Sequence, residues 1–428
     1  MARAVIIIVL SAWLAGVAVA QGPEVSLGVV KEAYERIDIY MGTLDVLSGG
    51  MASVDVATEM ETTIAQDLKF SGLFRVGMLE SQAETDSLSF QFAIRGQVEG
   101  PLRDAEVTGE DAPTTISLDL VTYPDGQLLL NKRYRPMPHR MRATAHHFAN
   151  QVVEMLTGES GIAMTRVVFS RGSGDRRDLW VVDYDGENLM RLTSNRTLNL
   201  CPDWKPDASE IAFTSYSRGM QVLYSLDTAT GKVRQIIAQE GLNLGASWRP
   251  DGEELLLSLS RSGDPEIYRI SPEGEILRRL TAVPSIEISP EWAPNGRELV
   301  FTSDMTGTPQ LYILDDVGSS RRRLTWEGNY NDSATWSHSG EQIVYATREN
   351  DLIQLVLIRA TGESRKLLTD ARWRNCEDPS WAPDGRHVVF ASDRTGTFKL
   401  YVMDVLEGGV RQLTFGDEPD ITPAWSPR

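Results

Sequence analysis

The chain has 428 residues, of which 60 are Asp or Glu and 42 are Lys or Arg, so its formal net charge is −18. This acidic balance argues against nucleic acids and anionic lipid surfaces as partners, and it favours basic or mixed-charge proteins. The length leaves room for a large core and predicts two or three domains.

The first 20 residues have the pattern of a secretory signal peptide. Arg3 supplies the positive charge, an apolar run covers 4–17, and an Ala-x-Ala cleavage site follows at 18–20. No later stretch is apolar enough to span a bilayer. We therefore expect an exported, soluble mature protein with no direct membrane insertion.

Residues 21–160 contain no repeat and predict a small α/β (α+β) domain with a mobile N-terminal arm before residue 36. The predicted strands cover 36–44, 90–94, 115–122 and 128–134. Apolar residues at every fourth position over 56–68, and at every third or fourth position over 141–155, predict two helices, which Gly72 and Gly158 end.

Three histidines lie in or near the second helix: His139, His146 and His147. A zinc site is one interpretation, but adjacent helical residues point about 100° apart. No carboxylate or cysteine spacing typical of zinc accompanies them. We expect helix-surface histidines, and we expect no metal or cofactor.

Residues 162–428 carry three markers with one period. Six tryptophans stand 44, 44, 44, 45 and 44 residues apart: Trp204, Trp248, Trp292, Trp336, Trp381 and Trp425. An Arg-Leu-Thr-like segment and an aromatic position keep the same spacing, the latter interrupted at Val356. A period of about 40–45 residues predicts a β-propeller whose blades hold four strands each.

The residues 288–325 show how one repeat predicts one blade. The inner strand ends at Trp292, a turn signal covers 294–296, and strands follow over 298–303, 310–314 and 322–325. The propeller begins at 166–169 with a second strand and finishes at Trp425 with a first strand. We therefore predict an all-β six-bladed propeller that the C-terminal strand closes.

The two cysteines, Cys201 and Cys376, occupy corresponding parts of two blades that flank the closing blade. A disulfide requires Cα atoms within roughly 7 Å. Non-adjacent blades make this distance improbable, so two buried thiols are the favoured interpretation, with a bridge as the alternative.

Signatures of common catalytic sites are absent from the sequence: the Gly-x-Ser-x-Gly elbow, the P-loop, HExxH, the EF-hand and CxxC. The position with the best claim to a function is the start of each inner strand. Five residues before each tryptophan stand Asn199, Asn243, Glu287, Asn331, Cys376 and Asp420; Asp332 and Glu377 lie four before theirs. These side chains are expected to ring one opening of the tunnel, where they either cap turns or contact a partner.

Several segments together resemble the TolB family, the periplasmic propellers of the Tol–Pal system in Gram-negative bacteria. They are the signal peptide, the α/β domain, the junction at 156–158, Arg-Leu-Thr-Trp-Glu-Gly at 323–328, and Pro-Ala-Trp-Ser-Pro at 423–427. The resemblance implies a monomeric, non-enzymatic interaction hub. Its expected role is to support outer-membrane integrity and invagination at cell division.

The resemblance also implies two partners. The outer-membrane lipoprotein Pal is expected at the tunnel mouth, where the family pattern implies contacts by Asn243, Gly245, Glu287, Ile288 and Ser289. The position of the rim adds Asn199, Asn331, Asp332, Glu377 and Asp420 as expected contacts. The inner-membrane protein TolA is expected at the N-terminal arm, on Glu24, Val25, Ser26 and Leu27. The alternative function is a periplasmic metal-dependent hydrolase or lactonase that uses Glu287, Asp332, Glu377 and Asp420.

Overall fold

A five-stranded mixed sheet with two helices forms the N-terminal part of the described chain. The computed structural model describes residues 35–78, 89–100 and 114–428, so the predicted signal peptide, most of the arm and Glu24, Val25, Ser26 and Leu27 lie outside it. The strands are β1 (Ile37–Ser48), β2 (Phe74–Met78), β3 (Phe92–Glu99), β4 (Thr115–Thr122) and β5 (Leu128–Tyr134). Their order is β2-β1-β3-β4-β5, with β1 parallel to β2 and β3.

Both predicted helices are confirmed, as α1 (Met51–Phe70) and α2 (Met141–Thr157). Met60, Ile64 and Leu68 of α1 are fully buried, because residues at this spacing share one helix face. Gly158 follows α2 with a φ of 75°, a left-handed conformation that glycine adopts at little steric cost. Strand β2 was not predicted.

The expected surface position is wrong for one of the three histidines. His139 and His147 are exposed, but His146 is buried. Its Nδ1 lies 2.7 Å from Oδ2 of Asp67 in α1, and its Nε2 lies 3.3 Å from Oδ2 of Asp185 in the propeller. Two carboxylates compensate for the burial of the ring, and their distance along the chain hid them from the sequence pattern.

The rest of the chain forms six four-stranded sheets, which are the blades of the predicted propeller. From the inner to the outer strand, blade 1 has β29 (Asp420–Trp425), β6 (Arg166–Arg171), β7 (Asp178–Asp183) and β8 (Met190–Arg191). Blade 2 has β9 (Asn199–Trp204), β10 (Glu210–Ser215), β11 (Val222–Asp227) and β12 (Val233–Ile237). Blade 3 has β13 (Asn243–Trp248), β14 (Leu255–Leu259), β15 (Glu266–Ile270) and β16 (Ile276–Arg279).

The remaining three blades repeat this order of strands. Blade 4 has β17 (Glu287–Trp292), β18 (Glu298–Ser303), β19 (Gln310–Asp315) and β20 (Arg321–Arg323). Blade 5 has β21 (Asn331–Trp336), β22 (Gln342–Glu349), β23 (Leu352–Arg359) and β24 (Lys366–Leu367). Blade 6 has β25 (Cys376–Trp381), β26 (His387–Ser392), β27 (Lys399–Asp404) and β28 (Val410–Gln412). Neighbouring inner strands contact one another all the way round, so they enclose an axial tunnel.

The predicted closure by the C-terminal strand is confirmed. Strand β29 pairs antiparallel with β6, with Trp425 opposite Val167. Beyond the ladder, Arg166 N–H donates to the Ser426 hydroxyl at 2.9 Å, and Ser426 N–H donates to the Arg166 carbonyl at 2.7 Å. The first and last residues of the propeller therefore belong to one sheet, which leaves no open inner edge.

Cations on the outer strands link one blade to the next. The donors reach backbone carbonyls in the neighbouring blade: Arg234 to Pro272 at 2.7 Å, Arg322 to Ala360 at 2.7 Å, Lys366 to Val405 at 3.3 Å and Arg411 to Tyr184 at 2.7 Å. The last of these crosses the seam between blades 6 and 1. The Thr of the repeated Arg-Leu-Thr segment stabilises its own blade: the Thr325 hydroxyl accepts the N–H of Leu311 in the third strand at 2.9 Å.

Both cysteines are free thiols, so the disulfide alternative is wrong for this structure. Cys376 is buried as expected, whereas Cys201 keeps part of its surface exposed. The described residues include no helix with the length and apolar character needed to cross a bilayer.

Antiparallel pairing decides which residues share an end of the propeller. All inner strands start at one end, which we call the mouth; the turns after the first and third strands of each blade lie at the opposite end. The contacts of the α/β layer fall on that opposite end. Arg142 Nε donates to Asp185 Oδ2 at 3.1 Å, and the rings of Phe70 and His387 stack with centroids 4.6 Å apart.

Candidate functional site

The residues predicted to form the rim of the mouth are the first residues of the six inner strands. Asn199, Asn243, Glu287, Asn331, Cys376 and Asp420 are each 0 % exposed. The expectation that these side chains ring the opening is therefore wrong. They point away from the tunnel into the crossover segments that connect successive blades, where they satisfy backbone and side-chain groups.

The asparagines cap these crossover segments, as the alternative interpretation proposed. Asn243 Nδ2 donates to the Gln239 carbonyl at 2.7 Å, and Asn243 Oδ1 accepts the Gln239 N–H at 3.0 Å. Asn331 Nδ2 donates in the same way to the Glu327 carbonyl at 2.9 Å. Such side-chain mimicry of a turn is common for asparagine. Asn199 bonds to the Arg177 carbonyl at 2.8 Å.

The buried carboxylates at this position have cationic or hydroxyl partners. Asp420 accepts hydrogen bonds from Arg171 Nε at 2.6 Å and from Lys399 Nζ at 3.1 Å. Burial raises the pKa of Glu287, opposed by hydrogen bonding to Thr281 and by Arg321, whose Nη1 lies 3.9 Å from Glu287 Oε1. These buried carboxylates stabilise the strands and crossover segments that form the mouth.

The second residues of the inner strands keep partly exposed side chains and line the tunnel at the mouth. In order of blades 1 to 6 they are Ile421, Leu200, Leu244, Ile288, Asp332 and Glu377. Four neighbouring blades thus contribute apolar side chains, and the two remaining neighbours contribute carboxylates. This asymmetry distinguishes one side of the mouth from the other.

The third residue of every inner strand has a positive φ. The angles are 50° at Cys201, 71° at Gly245, 52° at Ser289, 52° at Ser333, 50° at Asp378 and 47° at Thr422. Each coincides with a β-bulge against the second strand. A bulge re-aims the side chains on either side of it, which explains why the first residue is buried while the second lines the tunnel.

Two carboxyl groups of blade 6 have pKa values above their ordinary range. Burial, followed by repulsion from Asp378 and Asp393, raises the pKa of Glu377 to about 7. Burial raises the pKa of Asp378 to about 6 although it accepts the Thr422 N–H. Asp332 accepts a hydrogen bond of 2.6 Å from the Thr302 hydroxyl. The acidic side of the mouth therefore changes its charge near neutral pH.

Sequence reasoning missed a second ring deeper in the tunnel, formed by the residue before each tryptophan. Asp203 Oδ2 accepts the Trp248 N–H at 2.8 Å, and Glu291 Oε1 accepts the Trp336 N–H at 2.8 Å. The Ser380 hydroxyl likewise accepts the Trp425 N–H at 3.0 Å. Each side chain ties its blade to the next. The signal was present as a polar residue at this position in five of the six repeats: Asp203, Ser247, Glu291, Thr335 and Ser380.

Loops around the mouth expose arginines and aromatic rings. Trp326 is 74 % exposed and Phe415 is 67 % exposed, in the crossovers that follow blades 4 and 6. Arg218 and Arg261 are exposed and form no ion pair within the part of the chain that the structure describes. The mouth is thus acidic at its centre on one side and carries cationic and aromatic groups farther out.

No three His, Cys, Asp or Glu side chains among residues 35–78, 89–100 and 114–428 come together in an arrangement that could hold a metal ion. The carboxylates Glu287, Asp332, Glu377 and Asp420, proposed from the sequence as hydrolase ligands, differ in their surroundings. Glu287 and Asp420 are fully buried, whereas Asp332 and Glu377 line the tunnel.

Known proteins resemble this chain in sequence and in fold. The TolB homologue of Chlorobium chlorochromatii is 32 % identical over 215 residues, which are 49 % of this chain and 48 % of the homologue. The Tol-Pal system protein TolB of Polaromonas sp. strain JS666 is 31 % identical over 186 residues, which are 42 % of this chain and 43 % of that protein. The chain thus spans about half the length of the curated relatives it matches.

The fold likeness extends further along the chain than the sequence likeness. The crystal structure of TolB from Acinetobacter baumannii superposes with a TM-score of 0.76, covering 92 % of this chain and 97 % of that one at 24 % identity. At that identity the superposition speaks for the fold alone. The model of the TolB beta propeller domain family matches residues 153–377. Because this match spans more than half of the 428 residues, the chain belongs to the TolB beta-propeller family.

Proposed function

We propose that this chain is a non-enzymatic, periplasmic interaction hub of the Tol–Pal system that binds the outer-membrane lipoprotein Pal at the mouth of its propeller. Two lines of support are its membership of the family and the names of relatives such as the Tol-Pal system protein TolB of Polaromonas. A role in outer-membrane integrity and in invagination at cell division belongs to the same proposal.

The observation that carries the proposal is the asymmetric mouth. Ile288 and Leu244 offer apolar surface, and Gly245 leaves room because it has no side chain. Glu377 of blade 6 lies across the opening from Leu244 of blade 3, whereas Asp332 lies in the blade next to that of Ile288. A concave site with both apolar and charged groups suits an inserted loop or helix end of a protein. The described contacts of the α/β layer lie at the opposite end and leave this one accessible.

This proposal assigns fewer residues to the contact with the partner than the sequence alone predicts. Gly245, Ile288, Ser289, Asp332 and Glu377 keep exposed surface at the mouth. The buried set Asn199, Asn243, Glu287, Asn331 and Asp420 would shape the site without touching the partner. A partner element with a cationic group on one side and an apolar group on the other would match it.

A charge reversal at the mouth tests the Pal site. We expect Glu377→Lys to weaken association with the soluble domain of Pal at least roughly tenfold, since like charges would then face each other. Glu363→Lys, on an exposed turn at the opposite end, is the matched control and should bind as the unaltered chain does. Calorimetric titration of the mature chain measures both. Unchanged affinity in a folded Glu377→Lys protein would contradict the proposed site.

The pH dependence of binding gives a second readout that does not rely on a charge reversal. The pKa of Glu377 is raised to about 7, chiefly by burial, so its negative charge develops between about pH 6 and pH 8. Association with a cationic partner group should strengthen over this range. Glu377→Gln should flatten the profile, and an unchanged profile would show that Glu377 makes no contact with Pal.

The contact with TolA is proposed for the arm, on Glu24, Val25, Ser26 and Leu27, and rests on the family resemblance. A mature chain that begins at Val30 should keep its fold and its affinity for Pal but lose TolA in a pull-down with the soluble domain of TolA. Retained TolA binding would place that site elsewhere. Fractionation of Gram-negative cells that express the full chain tests the periplasmic location.

A further inference from the structure

The α/β layer is joined to the propeller by a buried cluster of charged groups. Its centre is the imidazole of His146 in α2, which lies between Asp67 of α1 and Asp185 in the turn after β7. Its side chain and those of both aspartates are less than a tenth exposed. One of the carboxylates belongs to the α/β layer and the other to blade 1, so the ring bridges two parts of the fold.

The geometry sets the protonation state that the cluster requires. Nδ1 lies 2.7 Å from Asp67 Oδ2 in hydrogen-bonding geometry, and Nε2 lies 3.3 Å from Asp185 Oδ2, an ion-pair contact without hydrogen-bond alignment. A neutral imidazole carries a single N–H and can donate to one carboxylate only. The other nitrogen would then present its lone pair to a carboxylate oxygen. Only the imidazolium makes both contacts favourable.

Charged and titratable groups from all the neighbouring elements complete the surroundings of His146. The Tyr184 hydroxyl donates to Asp67, and Arg142 Nε donates to Asp185 at 3.1 Å. Arg411 of β28 lies 4.2 Å from the centroid of Phe70 and donates to the Tyr184 carbonyl. A cleft of about 280 Å³ opens beside the ring, and its lining includes Glu59, His139, Arg166 and Asp183.

A second set of contacts lies next to this cluster, over blade 6. The Phe70 ring is 4.6 Å from His387 and 5.2 Å from Tyr184, measured between centroids. Phe70 therefore touches both blades at the seam where the propeller closes. The α/β layer packs directly against the blades at this seam. Loss of the contacts in the charged cluster would therefore weaken the packing at the seam as well.

We propose that protonated His146 is an electrostatic latch that fixes the α/β layer on the closure seam of the propeller, and that removing its charge releases the junction. The latch stands on the doubly bridged imidazole and is independent of the function proposed above. It makes the relation between the two parts of the fold conditional on a single proton. Any condition that neutralises His146 loosens the α/β layer without unfolding the blades.

The titration of the groups agrees with this geometry. Burial opposes the charged ring, but hydrogen bonds and attraction from Asp185 and Asp67 outweigh it and raise the pKa of His146 to about 9. A pKa raised in the folded state contributes stability that is complete below the unfolded value of about 6.5 and is lost as the pH rises through about 9. The latch is therefore closed at neutral pH and opens in mild alkali.

The titration of the two aspartates does not reverse the loss of junction stability with rising pH. Burial disfavours the charge of Asp185, but His146, the Glu187 N–H and Arg142 together lower its pKa, so it stays ionised down to strongly acidic pH. Burial raises the pKa of Asp67, against the pull of His146 and Tyr184. Protonation of Asp67 would weaken the latch from the acidic side, so the junction is tightest at intermediate pH.

Hydrogen exchange on the mature chain tests the latch, because exchange of junction amides follows their local opening. Between pH 7 and pH 10, and after correction for intrinsic exchange, amides of 183–187 and of α1 near Asp67 should open roughly tenfold more often, while blade 4 stays protected. His146→Gln should show the open behaviour already at pH 7. His147→Gln, the exposed neighbour on the same helix, should behave as the unaltered chain does.

Two results would overturn the latch. One is His146→Gln protein with unaltered junction protection at pH 7; the other is an unaltered chain whose junction amides keep their protection to pH 10. The pH series needs no substitution, so it decides the matter even if His146→Gln fails to fold. His146→Lys, which keeps a cation between the carboxylates, should restore protection and remove its loss between pH 7 and pH 10.

Discussion

The indole nitrogen of Trp425 donates a hydrogen bond of 2.9 Å to the hydroxyl of Thr165, across 260 positions of sequence. Thr165 lies just before the first strand of the propeller, and Trp425 ends the last. The bond therefore adds a buried side-chain contact to the strand pairing that closes the ring. It also places the closure beside the α/β layer, since Tyr184 N–H donates to the Thr165 carbonyl at 3.0 Å.

Trp425→Ala should destabilise the protein by about 3–5 kcal/mol, the usual cost of truncating a buried aromatic residue. Trp326→Ala, which truncates an exposed tryptophan, should cost less than about 1 kcal/mol. Denaturant unfolding followed by circular dichroism compares the two. Deleting 421–428 removes all of the closing strand except Asp420 and should abolish the cooperative transition. A cooperative, native-like transition in that shortened chain would contradict closure by β29.

Asp420 provides a test of whether the first residues of the inner strands hold the structure together. Asp420→Ala would leave Arg171 and Lys399 without their buried partner. Uncompensated buried charges typically cost about 3–5 kcal/mol. Asp417→Ala, an exposed substitution three residues earlier, should change the free energy of unfolding by less than about 0.5 kcal/mol. Equal stability of the two variants would show that Asp420 is not a structural residue.

Glu291 should make the stability of the propeller depend on pH. Burial raises its pKa to about 8, against hydrogen bonding by the Trp336 N–H and the Thr335 hydroxyl. For a carboxyl with a raised folded-state pKa, the stability is complete below the unfolded value of about 4.3 and falls as the pH rises through about 8. Glu291→Gln keeps the acceptor oxygen without the charge.

Glu291→Gln should therefore melt at a higher temperature than the unaltered chain at pH 9, with the advantage shrinking towards pH 5. The expected gain at pH 9 is about 1–2 kcal/mol, which allows for relaxation of the site and for screening by water in the tunnel. Calorimetry at several pH values measures it, with Glu363→Gln as the exposed control. A gain that did not depend on pH would mean that Glu291 carries the same charge in the folded and the unfolded chain over this range, so that its folded-state pKa is not raised.

The two cysteines should be inert in the folded protein. Cys201 keeps some exposed surface, but desolvation by the atoms packed around it, together with repulsion from Asp378 and Asp332, raises its pKa to about 12. Burial also raises the pKa of Cys376 to about 12, so little thiolate is present at pH 8 and alkylation should be slow. Both should react fully with a thiol reagent in denaturant. Reducing agent should leave the melting temperature unchanged, since no bridge exists. Fast modification of native protein by iodoacetamide would contradict this account.

Local patterns in the sequence were sufficient to predict the architecture. The tryptophan period, the turn residues and the short β-branched runs predicted four strands per blade, and the half repeats at 166–169 and 420–425 predicted six blades with a shared first blade. Hydrophobic periodicity likewise predicted α1 and α2. These features follow from the sequence because the pairing of neighbouring strands and the face of a helix depend on residues a few positions apart.

The direction of individual polar side chains was decided by the tertiary structure. Spacing placed Asn199 and Asp420 at the start of an inner strand, but the bulge two residues later turns them away from the tunnel and exposes the next residue instead. The surroundings of Glu291 and His146 were likewise not predictable from the sequence, because Trp336 belongs to another blade and Asp185 to another layer of the fold. A repeat specifies its own hydrogen-bonded strands, whereas the surroundings of a side chain depend on segments that only folding brings together.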